Sequence, residues 1–186
     1  MEDHMNDFAF PLQAAIHVQR DCPVDDILKA TAVVLGVDGQ KVIGFLQWEG
    51  TGDGECCGEI ALQDIGTGEL VAISQALGSG ARGCRLDPQA LAAVAGSLLA
   101  RLDDHTDLLV LNRFGKGESE GQGFRAVIEE ACVRGIPVLT VVRDEYLPAW
   151  NQFSGELGCL LAPDRQDVLD WARHAVRAAR NLRDAA

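Results

Sequence analysis

A chain of 186 residues with a formal net charge of -12 has room for one hydrophobic core of ordinary size and not for two, so a single α/β domain over 1–186 is expected. Its 28 acidic against 16 basic side chains repel phosphate backbones and anionic lipid at long range, which argues against nucleic acid or a membrane surface as partner. No run approaches the roughly 20 apolar residues of a membrane span, and the acidic start MEDHMNDF is unlike a basic leader, so the protein is expected to stay in the cytoplasm.

In chain order, LQAAIHV at 12–18 is a short apolar run, the polar loop QRDCPVDD follows, and ILKATAVVLG has helical spacing; the pattern is strand, loop, helix. After the turn signal VDGQ, KVIGFLQW at 41–48 is rich in β-formers and completes a βαβ unit with parallel pairing. A glycine-rich stretch, EGTGDGECCGE, then leads to IALQDI and ELVAISQ on either side of GTG, the pattern of a β-hairpin inserted at about 59–75. GSGARGCRLDPQALAAVAGSLLARL runs from a glycine loop into a helix with Asp87 placed to cap, Pro88 at its first position and an end near Asp103.

DLLVLN at 107–112 and IPVLTVV at 136–142 are nearly continuous apolar runs, as expected of central strands covered on both faces. Between them, the glycine loop FGKGESEGQGF enters a helix lasting to about Arg134. GCLLAP reads as a last short strand, and DRQDVLDWARHAVRAARNLRD as an amphipathic closing helix whose cations gather near its C-terminus, where the helix dipole favours them.

Six irregularly spaced cysteines in an aliphatic-rich chain read as reduced thiols. Cys132 and Cys159 read as small buried hydrophobes. The adjacent Cys56 and Cys57 have no C-x-x-C or nearby histidine, so no metal site is expected. His17, at the end of the first strand, is placed to touch a ligand, whereas His4, His105 and His174 read as surface residues.

The first strand-to-helix loop is where a phosphate cradle belongs in such a layout, because glycines let backbone N–H groups wrap the phosphates and a lysine neutralises them. QRDCPVDD has no glycine, no Lys-Ser or Lys-Thr pair, and three aspartates. Ordinary triphosphate binding is not expected there, although Arg20 and Lys29 are placed to hold a smaller anion. GSGARG at 78–83 matches G-x-G-x-x-G, but the helix starts too late for the third glycine to sit in its first turn, as a dinucleotide fold requires.

Ser79, Arg82, Cys84 and Arg85 lie just before a helix N-terminus. Two arginines beside free backbone donors suit an anion; pairing with nearby acids is the equally open reading. Asn112, Lys116, Glu118 and Glu120 fall at or after the carboxyl end of a central strand, where ligands gather in open α/β sheets. They are either a ligand-gripping set or a solvated helix start with acids matched to the dipole.

LGSGARGCRLDPQAL at 77–91, LLVLNRFGKGESEGQGFR at 108–125, and GIPVLTVV with the later AW at 149–150 identify the chain as resembling, over nearly its whole length, an uncharacterised bacterial family of unknown function whose genes often neighbour molybdate-transport genes. More remotely, the layout is similar to the small P-loop nucleoside-triphosphatases first described in thermophiles. Gly115, Lys116 and Glu118 match the later part of that group's Asp-Glu-Ile-Gly-Lys-x-Glu type motif, and Asn112 and Arg113 stand where its acidic pair would hold magnesium.

This resemblance implies a three-layer, mostly parallel sheet of P-loop NTPase type with an inserted hairpin and without NTP hydrolysis. The expected function is binding of a small anionic ligand, with molybdate, a molybdenum-cofactor precursor or a phosphate-bearing molecule implied by the family's neighbourhood. The expected grip is Ser79, Arg82, Arg85, Asn112, Lys116 and Glu118. A nucleotide-binding phosphatase and an interaction module for a molybdenum enzyme or transporter stay open as alternatives, as does a homodimer, and the residues identify no cofactor.

Overall fold

A computed structural model describes residues 10–19, 22, 24–49, 60–75 and 85–185. Its elements in chain order are β1 (Gln13–Val18), α1 (Asp25–Val37), β2 (Val42–Glu49), β3 (Ile60–Asp64), β4 (Leu70–Ala72), β5 (Ser74–Gln75), β6 (Arg85–Leu86), α2 (Pro88–Arg101), β7 (Leu108–Leu111), α3 (Lys116–Ser119), α4 (Arg125–Val133), β8 (Val138–Arg143), α5 (Leu147–Ser154), β9 (Gly158–Leu161) and α6 (Arg165–Asp184). Seven strands form one sheet in the order β4-β3-β2-β7-β8-β1-β9. The five from β2 to β9 run parallel, and β3 and β4 add an antiparallel hairpin outside β2.

Both faces of the parallel strands are covered, which explains why their sequences read as continuous apolar runs rather than alternating ones. Along β7, Leu108 and Val110 join the core beneath α1 and α6, whereas Leu109 and Leu111 join the core beneath α2, α4 and α5. Successive side chains point to opposite faces, so four apolar residues feed two cores. Ala14 and Ile16 of β1 likewise face Leu28 and Leu35 of α1 and Trp171 and Val176 of α6. On the other face Phe114 packs edge-on against Trp150, ring centroids 5.4 Å apart.

Helix starts follow local chemistry. Asp87 accepts from the N–H groups of Gln89 and Ala90 at 2.9 and 3.2 Å, with Pro88 next, and Asp164 caps α6 in the same way. Each side chain satisfies donors that the first turn cannot satisfy internally. At Gly44 (φ +139°) the backbone of β2 comes so close to β7 that a Cβ would collide with the Val110 carbonyl, so only glycine fits.

The hairpin turn is fixed by Asp64, which is 6% exposed. It accepts from the N–H groups of Gly66 and Thr67 at 2.8 and 3.1 Å and from Arg101 of α2 at 2.6 Å. Burial alone would raise this carboxyl's pKa; the arginine and the two N–H donors outweigh it and hold the group below its ordinary range.

The sequence gives no hint of two features. Ser74 and Gln75 pair antiparallel with Leu86 and Arg85, forming a small second sheet, and α5 follows β8 after a single 3₁₀ turn. The predicted glycine loop after β7 also contains a one-turn helix, α3. Among the described residues, no helix is long and apolar enough to cross a membrane.

Candidate functional site at the carboxyl edge of the sheet

Because β2, β7, β8 and β1 run parallel, their carboxyl ends share one edge, and α1 starts there after the β1–α1 loop. β7 runs directly into Asn112 and Arg113. Phe114 then bridges to Val142 of β8, which pins both residues at the rim.

Asn112 is 8% exposed. Turned so that each end of its amide meets a complementary group, it donates through Nδ2 to Asp25 Oδ1 at 2.8 Å and accepts at Oδ1 from the Gln47 backbone N–H at 3.0 Å. The opposite orientation sets oxygen against the Asp25 carboxylate, so the first is the one that physics selects. Arg113 reaches the same carboxylate, Nη2 to Oδ2 at 3.6 Å, beyond hydrogen-bond length. Its Nε is buried and has no hydrogen-bond partner among the described residues.

Asp25 and Asp26 form the acidic first turn of α1, where Val24 offers no side-chain cap. Their charge suits the positive end of the helix dipole. The start of α1 is thus occupied by carboxylates, one of which is shared with a cation and an amide from the two residues after β7.

His17, at the end of β1, pairs through Nε2 with Asp144 Oδ1 at 2.6 Å, tying that strand to the turn after β8. Lys29 lies elsewhere on α1, lining a cleft of about 400 Å³ with Gln63, Asp64 and Gly66 of the hairpin. Arg20 lies outside the described residues, as do Ser79, Arg82, Cys56, Cys57 and Cys84; of Arg85 only the backbone, in β6, is described.

Glu118 is 7% exposed and accepts from the N–H groups of Gly115 and Phe124 at 3.0 and 2.9 Å. Both its oxygens therefore close the loop on itself, and Gly123 leaves no room for a Cβ beside that carboxylate. Lys116 is exposed and 3.9 Å from Glu120. It sits on the rim of an apolar groove of about 740 Å³ between α2 and α3–α4, floored by Leu91, Ala95 and Val127. Leu86 and Pro88 line the same groove, so the start of α2 lies beside the loop that follows β7. Asn112 belongs instead to the Asp25 network.

Arg113 was legible in the sequence as a departure from an acidic motif. Its partner Asp25 carried no such signal, because their contact depends on α1 beginning against the end of a strand far along the chain. Among the described residues, no group of three or more His, Cys, Asp or Glu side chains is arranged to hold a metal ion. Burial pushes the Cys132 thiol up to about 11, and burial raises Cys159 as well; both are partly buried.

The model of the family described as "Protein of unknown function (DUF2478)" matches residues 13–171. The chain belongs to that family. Among curated proteins it is similar to the molybdenum import ATP-binding protein ModC 2 of Bradyrhizobium diazoefficiens, 34% identical over 173 residues. The match spans 92% of this chain but only 19% of that protein. No solved structure matches the chain. The described fold, a mostly parallel sheet with helices on both sides, is of P-loop NTPase type and has the hairpin β3–β4 added at one edge.

Proposed function

We propose that the chain is a non-hydrolysing descendant of the P-loop fold that holds a small oxyanion at the carboxyl edge of its sheet, in the cytoplasm and in the service of molybdenum uptake. The observation that supports this reading is a reversal of charge. A nucleoside-triphosphatase of this layout places its acids at the end of the strand, to hold magnesium, and its glycines and lysine at the start of the first helix, to hold phosphate. Here Asn112 and Arg113 end the strand, and Asp25 and Asp26 start the helix.

An arginine and a carboxamide at a partly buried rim present a planar donor fork and a further N–H, suited to an oxyanion rather than to a magnesium–triphosphate complex. The proposed grip also includes Ser79, Arg82, Arg85 and Lys116; of these, Lys116 lies on the rim of the apolar groove, and Ser79 and Arg82 fall outside the described residues. Glu118 positions the second turn through its backbone contacts. Molybdate enters as the first candidate through the name of the curated relative.

Thermal melts in sodium molybdate, tungstate or sulfate, against sodium chloride at matched ionic strength, test the proposal. Stabilisation by the oxyanions and none by ATP or GTP with magnesium is the expected result. Nucleotide stabilisation with phosphate release would instead establish a phosphatase with an unusual site and sink the non-hydrolysing reading.

A second reading is favoured by coverage. The chain aligns with about a fifth of an ATP-binding transport protein while having no glycine or Lys-Ser pair in its own first loop. It is therefore also a candidate accessory module that works beside an import ATPase. Co-purification of the tagged chain with such an ATPase from the native host, with no thermal response to any oxyanion, would favour this reading over the first.

A further inference from the structure

We propose that Asp25 is a resident competitor for the oxyanion site, an internal carboxylate that an incoming ligand must displace from Arg113 and Asn112. The inference rests on the oxyanion reading above and adds how the site is regulated and what it selects. Three observations meet here. Asp25 is the shared partner of the two side chains that follow β7, at 2.8 Å from Asn112 and 3.6 Å from Arg113. Arg113 is only partly engaged, because its contact is longer than a hydrogen bond and its buried Nε has no partner among the described residues. The Asp25 side chain is 37% exposed, so it has solvent to swing into when displaced.

A carboxylate has two oxygens in one plane, and one of them is committed to Asn112. A tetrahedral dianion offers four, enough to meet Arg113 Nε and Nη2 together while a further oxygen accepts from Asn112. Pairing the buried Nε removes a desolvation penalty that the Asp25 contact leaves in place. Chloride, a single sphere of one charge, can accept from the guanidinium edge but has no second atom to meet Asn112 and only half the dianion's charge with which to displace a carboxylate. Asp25 therefore sets a threshold: monovalent ions stay out, and multiply charged oxyanions enter at reduced affinity. In a chain of net charge -12, such a device keeps the rim's cation neutralised when no ligand is present.

The test titrates sodium molybdate and sodium sulfate by calorimetry into wild type, Asp25→Asn, Arg113→Gln and the double variant. Asp25→Asn keeps the volume and a hydrogen-bonding group while removing the charge, and Asp25→Ser is the second choice should the asparagine variant fold poorly. The expected result is affinity raised about tenfold or more in Asp25→Asn, a measurable gain in chloride binding in the same variant, and loss of all of it in the double variant. Equal affinities in wild type and Asp25→Asn, with binding lost in Arg113→Gln, would overturn the competitor role and leave the oxyanion site standing. Binding that survives Arg113→Gln, or an Asp25→Asn protein that binds neither anion, would overturn both.

Discussion

The two ends of the central strands handle charge in opposite ways. At the amino edge, Asp107 precedes β7 and is 5% exposed. It accepts from Arg180 Nε and Nη2 at 2.8 and 2.9 Å and from the Lys41 N–H at 2.8 Å. Arg183 donates to the carbonyls of Asp104 and Thr106 at 2.7 and 3.1 Å, and Lys41 meets Asp103 at 2.6 Å. At the carboxyl edge, Arg113 leans on Asp25 at 3.6 Å, and its Nε has no partner among the described residues. The first edge closes α6 onto the sheet by bidentate, short contacts. The second leaves its cation loosely engaged, as the proposed oxyanion site requires.

The largest expected effect is at the amino edge. Asp107→Asn leaves two arginines facing a neutral amide and should cost on the order of 3 kcal/mol, read as a lower urea midpoint, while the response to oxyanions is unchanged. A loss of that response with the fold intact would break the division of labour between the edges.

Next is Glu118→Ala, which strips acceptors from the N–H groups of Gly115 and Phe124. A cost of about 2 kcal/mol is expected. Hydrogen exchange should show both amides losing protection; unaltered exchange there would show that the loop is held by other means.

Acid sharpens the comparison further. Asp107 and Asp64 are both held below the ordinary carboxylate range. For each, burial opposes the shift and the arginine contacts (Arg180 and Arg183 for Asp107, Arg101 for Asp64) and backbone N–H donors outweigh it. A depressed folded pKa contributes stability that is fully present above the unfolded value, about 3.9, and is lost as pH falls through the folded value. Melting temperature should therefore fall below about pH 4, and Asp107→Asn should make that fall shallower. An unchanged acid limb in the variant would remove Asp107 from the explanation.

The smallest stability effect is expected from Asp25→Asn, less than about 1 kcal/mol, since the contact with Arg113 is long and partly solvated and an asparagine oxygen can still accept from Asn112. Denaturation of that variant alone checks this. A large destabilisation would mean that the Asp25–Arg113 contact is a structural lock like the one at the other edge.

How much of this was legible in the sequence depended on whether the deciding contacts were local. β7 and β8 announced themselves as apolar runs because burial on both faces writes itself into consecutive residues. The β3–β4 hairpin followed from GTG, and α2 from Asp87 and Pro88, where cap and helix are neighbours in the chain. By contrast α5 rests on Trp150 and Phe153 meeting Phe114, and LPAWNQFS has no start signal beyond its proline. The β5–β6 pair joins two-residue strands, too short for any alternation to show.

The rim followed the same rule. Asn112 could be singled out from its place after a central strand, whereas Arg113 was marked only by the resemblance, as standing where an acidic pair would be, and was not part of the expected grip. Asp25 reads in sequence as one of the three aspartates of the loop QRDCPVDD, and only the fold places it against them. Glu118 could be seen as a residue of the glycine loop, but its two N–H partners depend on how that loop closes.

Asp64 has a mechanical consequence. One carboxylate holds both the tip of the added hairpin and, through Arg101, the last turn of α2. The insertion and that helix thus behave as one lever. Any rocking of the hairpin about β2 must either part this joint or drag α2, and with it the wall of the apolar groove beside Lys116.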